Sequence, residues 1–408
     1  MVLSKRSRYA VNPILEEDVV AAELERKGKK VIKLNRGDPA VYFPTPKYII
    51  DAYIKALREG KTQYSDATGN KEIKSAIIQR YKSLYGLHIS EHDIIVTLGV
   101  SEALSFINDT LINTGDRAIL FKPYYAQYLP KLQLSGGTPI FESYYEKDNW
   151  NIELSHLNSS IKELKENGKI KKVKYMLITN PNNPTGTVLR KEILEEIVNI
   201  ANENNILLIS DEIYDEIVYN NAKFTSISNL AKGVPHIILN GASKNYDSTG
   251  FRLGMVIIPG DDDLSNKLKQ KFTDFARIRL SVNTPSQYAF AEAMRNMQEH
   301  KKAITYMVKE IEKRVNYSMK ILRENEYINV VEPNGAYYIF PRLHLKDLKI
   351  KNDKEFVSRV LKEEYIQLTR GSGFGDPEHF RIVSLPPKEI LDYSLNRINE
   401  FCRKNAKR

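Results

Sequence analysis

The chain has only one cysteine, Cys402, among 408 residues. A lone cysteine excludes an internal disulfide and suits a reducing compartment. No apolar run reaches 18 residues, so no membrane-spanning helix and no membrane partner are expected. The opening MVLSKRSRYAVN lacks the apolar stretch of a secretory signal, and the acidic cluster Glu16, Glu17, Asp18 is wrong for a transit peptide, so a cytoplasmic location is expected. No low-complexity linker and no internal repeat interrupts the chain, and no metal site is expected. Acidic residues are the minority, 51 against 61 lysines and arginines, which leaves a net charge of +10. That excess is scattered through mixed runs such as KEILEEIVNI, and its densest knot, KIKKVK (169–174), leads straight into an apolar strand. Solvated faces account for it, and no nucleic-acid partner is expected.

What is present is a soluble globular chain, 42% hydrophobic and 27% charged, too long for one ordinary core. Strand-like runs recur at 93–99, 117–123, 138–145, 173–180, 206–212, 236–243 and 253–259, with helical patterns between several of them, as at 101–115 and 189–204. Short continuous apolar strands alternating with helices predict an α/β fold, with a mostly parallel sheet between helix layers. Past about residue 260 long helical patterns (261–279 and 285–325) and scattered short strands predict a smaller α+β domain. The expected division is a large domain, 46–285, and a small C-terminal domain, 286–408, with the N-terminal segment 1–45 packed against the latter.

In open α/β sheets, sites gather at the carboxyl ends of strands. There the chain places Gly99–Glu102, Tyr124–Tyr125, Asn180–Gly186, Asp211–Tyr214, and Ser243 with Lys244. Lys244, in NGASKNYDSTGFRLG, follows a buried-looking strand and precedes Arg252. A desolvated lysine near another cation is a nucleophile toward carbonyls. Imine chemistry on amino acids also needs an electron sink, which pyridoxal 5'-phosphate supplies. Its ring nitrogen needs a carboxylate, and Asp211 in LLISDEIYDEI is the candidate, with Glu212 its local competitor. Its phenolic oxygen needs donors, for which Tyr214 and Asn183 are placed. Its phosphate needs free amides, a hydroxyl and a cation: Val100 and Ser101 at a helix start, Ser243 and Arg252. Tyr125 in KPYYAQY is the candidate to stack on the ring.

The set YSDATG, VTLGVSEAL, PYYAQY, NPNNPTG, SDEIYD, the SK pair with Arg252, and FRI near the end resembles the class I/II aminotransferases, the aspartate aminotransferase-like enzymes of fold type I. The resemblance spans nearly the whole chain. It implies that Lys244 carries pyridoxal phosphate covalently and that Asp211, Tyr214, Asn183, Ser243, Arg252 and Tyr125 contact it as above. It further implies that Arg381 grips the substrate α-carboxylate together with Gly37 and Asn183. Tyr64 would reach the phosphate of a second subunit, making a homodimer with shared sites. One departure is Gly241, where many aspartate-type members have serine or threonine. KLNRGDPA, GVSEAL and GSGFGDPEHFRIVSLPP look most like the alanine (glutamate–pyruvate) aminotransferases, implying alanine and 2-oxoglutarate as substrates. Aspartate or broad specificity, or a carbon–sulfur lyase on the same scaffold, is the alternative. Arg277 and Arg279 are candidates for a second substrate carboxylate.

Overall fold

A computed structural model describes residues 2–407. A short strand, β1 (Ile32–Lys33), lies outside the main sheet. The apolar runs then become β2 (Ile94–Thr97), β3 (Arg117–Lys122), β4 (Thr138–Tyr145), β5 (Asn151–Ile152), β6 (Val173–Thr179), β7 (Leu207–Asp211), β8 (His236–Gly241) and β9 (Gly254–Ile257). They form one eight-stranded sheet in the order β2-β9-β8-β7-β6-β3-β4-β5. The stretch β8-β7-β6-β3-β4 is parallel, while β9 runs antiparallel to both β8 and β2, and β5 antiparallel to β4. The sheet is therefore mostly parallel, as expected.

The absence of polar alternation in these strands has a direct cause. Met176, Ile178, Leu208 and Ile238 point into one core, whereas Tyr175, Leu177, Ile209 and Leu239 point into another on the opposite face. A strand apolar at every position is what two helix-covered faces require. The helices are bounded by local chemistry. Asn70 accepts from the Ile73 amide at 2.9 Å to start Lys71–Tyr85, which Gly86 ends in the left-handed region at φ 66°. The expected long helix over 285–325 is two, Thr284–Arg295 and Met297–Arg323, because Asn296 leaves helical geometry and caps the second.

A separate core is built from β10 (Ile328–Asn329), β11 (Tyr338–Ile339), β12 (Arg342–Leu343), β13 (Ile366–Gln367), β14 (Thr369–Arg370), β15 (Phe380–Val383) and the helices around them. Ala289, Phe290 and Met294 still pack under the large sheet, and the second core begins with Ile304 and Met307. The N-terminal segment joins this second unit through parallel pairing of β1 with β13. Cys402 is buried there, and burial pushes its thiol up to about 12, out of reach of ordinary thiolate chemistry.

One buried ionic cluster ties the large unit together. Arg80 donates to Asp215 at 2.9 and 3.1 Å and to Glu216 at 2.5 Å. Asp215 also accepts from Tyr85 Oη at 2.6 Å, Asn240 Nδ2 at 2.8 Å and Asn245 Nδ2 at 2.5 Å. The loop after β7 is thereby tied to both ends of the turn after β8. Removing the cation would leave the buried Asp215 and the half-buried Glu216 without their counter-charge. Arg80→Leu is accordingly expected to cost about 3–5 kcal/mol of unfolding free energy. A urea titration checks this, and a cost below about 1 kcal/mol would refute the cluster's structural role.

Candidate active site

Parallel strands deliver their last residues to the same edge of the sheet. β7 and β8 pair with Asp211 opposite Leu239, so Asp211 and the turn Ala242–Asn245 leave the sheet side by side. Both face one cavity, which Asn183 from the loop after β6, Val100 and Ser101 from the helix after β2, and Tyr125 from the loop after β3 also line. The second core contributes Tyr338 and Arg381. Of the site residues expected from sequence, the cavity gathers Gly37, Val100, Ser101, Tyr125, Asn183, Asp211, Tyr214, Ser243, Lys244, Arg252 and Arg381.

Lys244 donates to the Gly37 carbonyl at 2.6 Å. Burial, aided by the nearby charges of Arg381 and Arg252 and opposed by Asp38 and Asp211, lowers its amine to about 8. At pH 7 about one molecule in ten then carries a neutral lysine, against about three in ten thousand for an unshifted side chain. That difference separates a nucleophile from a solvated charge. Asp211 moves the other way. Burial raises it from 3.8 to about 6, although Tyr128 Oη at 2.6 Å, the Ile213 amide at 3.3 Å and the charge of Lys244 all favour the anion. Its anion disfavoured by about 3 kcal/mol, this carboxylate favours a cationic partner.

Glu212, the competing acid, is turned away. Its oxygens accept from Ser226 Oγ and the Ile227 amide, both at 2.8 Å, and it does not line the cavity. Tyr214 Oη lies 2.8 Å from Tyr338 Oη and 3.5 Å from Asn183 Nδ2. Asn183 Oδ1 in turn accepts from Arg381 Nη1 at 2.9 Å. Arg381, 1% exposed, is also held by the Asn35 carbonyl and lies over the rings of Tyr338 and Phe374 at 4.6 and 4.8 Å. Its Nε has no partner.

At the other end, Arg252 donates to the Thr249 carbonyl at 2.8 Å beside the start of helix Val100–Leu111. A Cβ on Gly99, whose φ is 71°, would stand 2.4 Å from Arg252 Nη2, so only glycine leaves the cation against these free amides. Gly241 is explained in the same way. A Cβ there would meet the Leu253 carbonyl oxygen at 2.7 Å and Gly254 Cα at 3.0 Å, so the end of the β8–β9 pair, where Gly241 faces Gly254, has no room for a serine or threonine.

Three residues fall outside. Tyr64 is 78% exposed and away from the cavity. Arg277 faces solvent, and Arg279 is a strut, donating to Glu102 at 3.0 Å and to the Ala67 carbonyl at 2.6 Å. Neither arginine lines the cavity of its own chain. Sequence reasoning missed Tyr338, Tyr128, Asp38 and Arg36 as lining residues. The aromatic run in GAYYIFP and the third tyrosine of PYYAQY were the available signals.

Residues 29–398 match the family described as aminotransferase class I and II. The chain belongs to that family. It is 33% identical over 384 residues to glutamate-pyruvate aminotransferase AlaA of Haemophilus influenzae, covering 93% of each chain. It is also 33% identical over 403 residues to an aspartate aminotransferase of Thermotoga maritima, covering 98% of this chain and 99% of that one. Among solved structures it superposes on an alanine aminotransferase from Pyrococcus furiosus with a TM-score of 0.92 and 37% identity, covering 99% and 100% of the two chains. The protein is thus an aminotransferase of fold type I, from a family that works with pyridoxal phosphate on amino acids and 2-oxo acids.

The residues present fit that cofactor. A desolvated amine, a buried carboxylate that favours a cation, and a glycine-lined cradle beside Arg252 answer its aldehyde, ring nitrogen and phosphate in turn. Because attack requires the neutral amine, capture of pyridoxal phosphate by cofactor-free protein should speed up about tenfold per pH unit below 8 and level off above it. Stopped-flow absorbance checks this; a rate still rising tenfold between pH 9 and 10 would show that Lys244 is not the shifted amine.

Proposed function

We propose that this aminotransferase moves the amino group between alanine and 2-oxoglutarate, giving pyruvate and glutamate, with pyridoxal phosphate held on Lys244. The carrying observation is that a half-buried, partly neutral Lys244 shares one cavity with Asp211 and Arg381. When bound, the cofactor supplies an aldehyde for the amino group and a ring that withdraws electrons.

The chain's own residues do the rest. Arg381 takes the substrate α-carboxylate through its donors, a pairing that fixes orientation as well as charge. Tyr338 and Phe374 brace the guanidinium from its faces. The neutral Lys244 amine accepts the proton leaving the substrate Cα, and the ammonium so formed would deliver it to the carbon on the other side of the transferred nitrogen, one residue serving as base and then acid. Asp211 holds positive charge at the cofactor ring, with Tyr128 keeping its carboxylate in place. Tyr214 and Asn183 supply donors beside it, Tyr125 a stacking face, and Ser243, Arg252 and the Val100 and Ser101 amides the anion cradle.

The same reading joins the first 45 residues to the 286–408 domain, which the pairing of β1 with β13 supports. It also makes the protein a homodimer in which Tyr64 serves the partner's phosphate. An outward apolar stripe on helix Lys47–Arg58, with Ile50, Ile54 and Leu57 exposed, supports a second copy there. Aspartate is the second reading for the amino donor, favoured by the equally similar relatives of that name.

Amino donors tested one at a time against 2-oxoglutarate and pyruvate should rank alanine and glutamate first. Aspartate ahead of both would select the second reading, and pyruvate release without any oxo acid would mark a lyase. Lys244→Ala should lower turnover by at least about 10³-fold, the range of a lost acid–base residue, with folding retained.

A further inference from the structure

A glutamate or 2-oxoglutarate carries two carboxylates, and Arg381 can take only one. Among the described residues, four cations line the cavity: Arg36, Lys244, Arg252 and Arg381. The last three stand at the positions already assigned to chemistry, the cradle and the α-carboxylate. Arg36 has no such duty. From this we infer that Arg36 selects substrates with a second, distal carboxylate, exchanging its present partner Asp18 for the ligand; the inference rests on the dicarboxylate half of the proposed reaction.

The backbone places it well. Asn35, on one side, gives its carbonyl to Arg381, and Gly37, on the other, gives its carbonyl to Lys244. Consecutive Cα atoms are about 3.8 Å apart. The Arg36 side chain therefore leaves the chain one residue from each of the groups that would flank the substrate α-carbon. Arginine is the suitable residue, since its planar fork matches a carboxylate.

Its present pairing is built to be broken. Arg36 Nη2 pairs with Asp18 Oδ2, with the two side chains 55% and 26% exposed. Asp18 does not need that contact, because its other oxygen accepts from Gln367 Nε2 at 2.8 Å and Asn35 Nδ2 at 3.4 Å. A half-exposed pair of this kind contributes little. A ligand carboxylate oriented by Arg381 and enclosed by the cavity can compete with it. With a small monocarboxylate bound, Asp18 keeps the guanidinium neutralised. Asp38, which with Asp211 makes up the lining carboxylates, is occupied by Thr249 Oγ1 at 2.7 Å and the Ala40 amide at 3.2 Å.

The test compares the glutamate and alanine half-reactions of the cofactor-loaded enzyme by absorbance, and measures binding of glutarate, a dicarboxylate with no amino group to transfer. Arg36→Gln should lower the glutamate-to-alanine ratio of kcat/KM by about 10- to 100-fold, the range of a lost hydrogen bond to a charged group, and weaken glutarate binding to a similar degree. Arg36→Lys should restore part of both, and Asp18→Asn, by freeing Arg36, should tighten glutarate binding. A ratio and a glutarate affinity within twofold of wild type in Arg36→Gln would overturn the inference. Wild-type protein inert toward glutamate would instead overturn the proposed substrate pair, while Arg36-dependent glutarate binding would still support the dicarboxylate site.

Discussion

Nearly every feature of the cavity follows from keeping one amine out of water. Lys244 is held by a backbone carbonyl, and burial lowers its affinity for a proton. A lysine at the surface would stay an ammonium, with no nucleophilic character near neutral pH. The enclosing walls come from two different cores, so the reactive state of this one group depends on how the whole chain is folded. Asp211 obeys the same constraint with the opposite sign. The environment that weakens the hold of Lys244 on its proton makes the carboxylate reluctant to ionise unless a cation faces it. The pair forms a site prepared for a ligand that brings positive charge to one end and a carbonyl to the other.

Around these two groups the large sheet supplies rigidity. Asp211, Tyr214 and Asp215 lie within five residues, and Asp215 is bonded to Asn240 and Asn245, which bracket Lys244. Arg80 neutralises that junction from helix Lys71–Tyr85. The segments that carry Asp211 and Lys244 are thus joined through one buried polar hub. The second core meets this hub at a line of side chains, Tyr338 to Tyr214 to Asn183 to Arg381. On the proposed reading, the large unit manages the cofactor and the smaller one grips the substrate.

Much of this was legible from residue order. Apolar runs with no polar alternation could be placed as doubly covered strands, since only a sheet buried on both faces accepts them. Lys244, Asp211 and Asn183 could be nominated because each follows or ends such a strand and carries the chemistry an imine-forming site demands, whereas Arg381 could be reached only through the family resemblance of FRI. Local pattern could not reveal the break at Asn296, because the helical periodicity of 285–325 hardly changes across it. Nor could it reveal that Gly241 is forced by the antiparallel pairing of β8 with β9. That depends on the carbonyl of Leu253, twelve positions away.

By itself, then, residue order determined the strand and helix types, the alternating architecture and the chemical inventory of the site, all of which rest on spacing and on side-chain chemistry. The fold alone decided that Arg36, and neither Arg277 nor Arg279, joins the lining of the cavity. Arg36, Arg277 and Arg279 are indistinguishable as charges in a string of letters. Packing puts Arg279 against Glu102 as a strut, leaves Arg277 in solvent, and holds Arg36 beside the groups that bind Arg381 and Lys244. Burial and distance set what a charge can do, and both are properties of segments brought together from far apart in the chain.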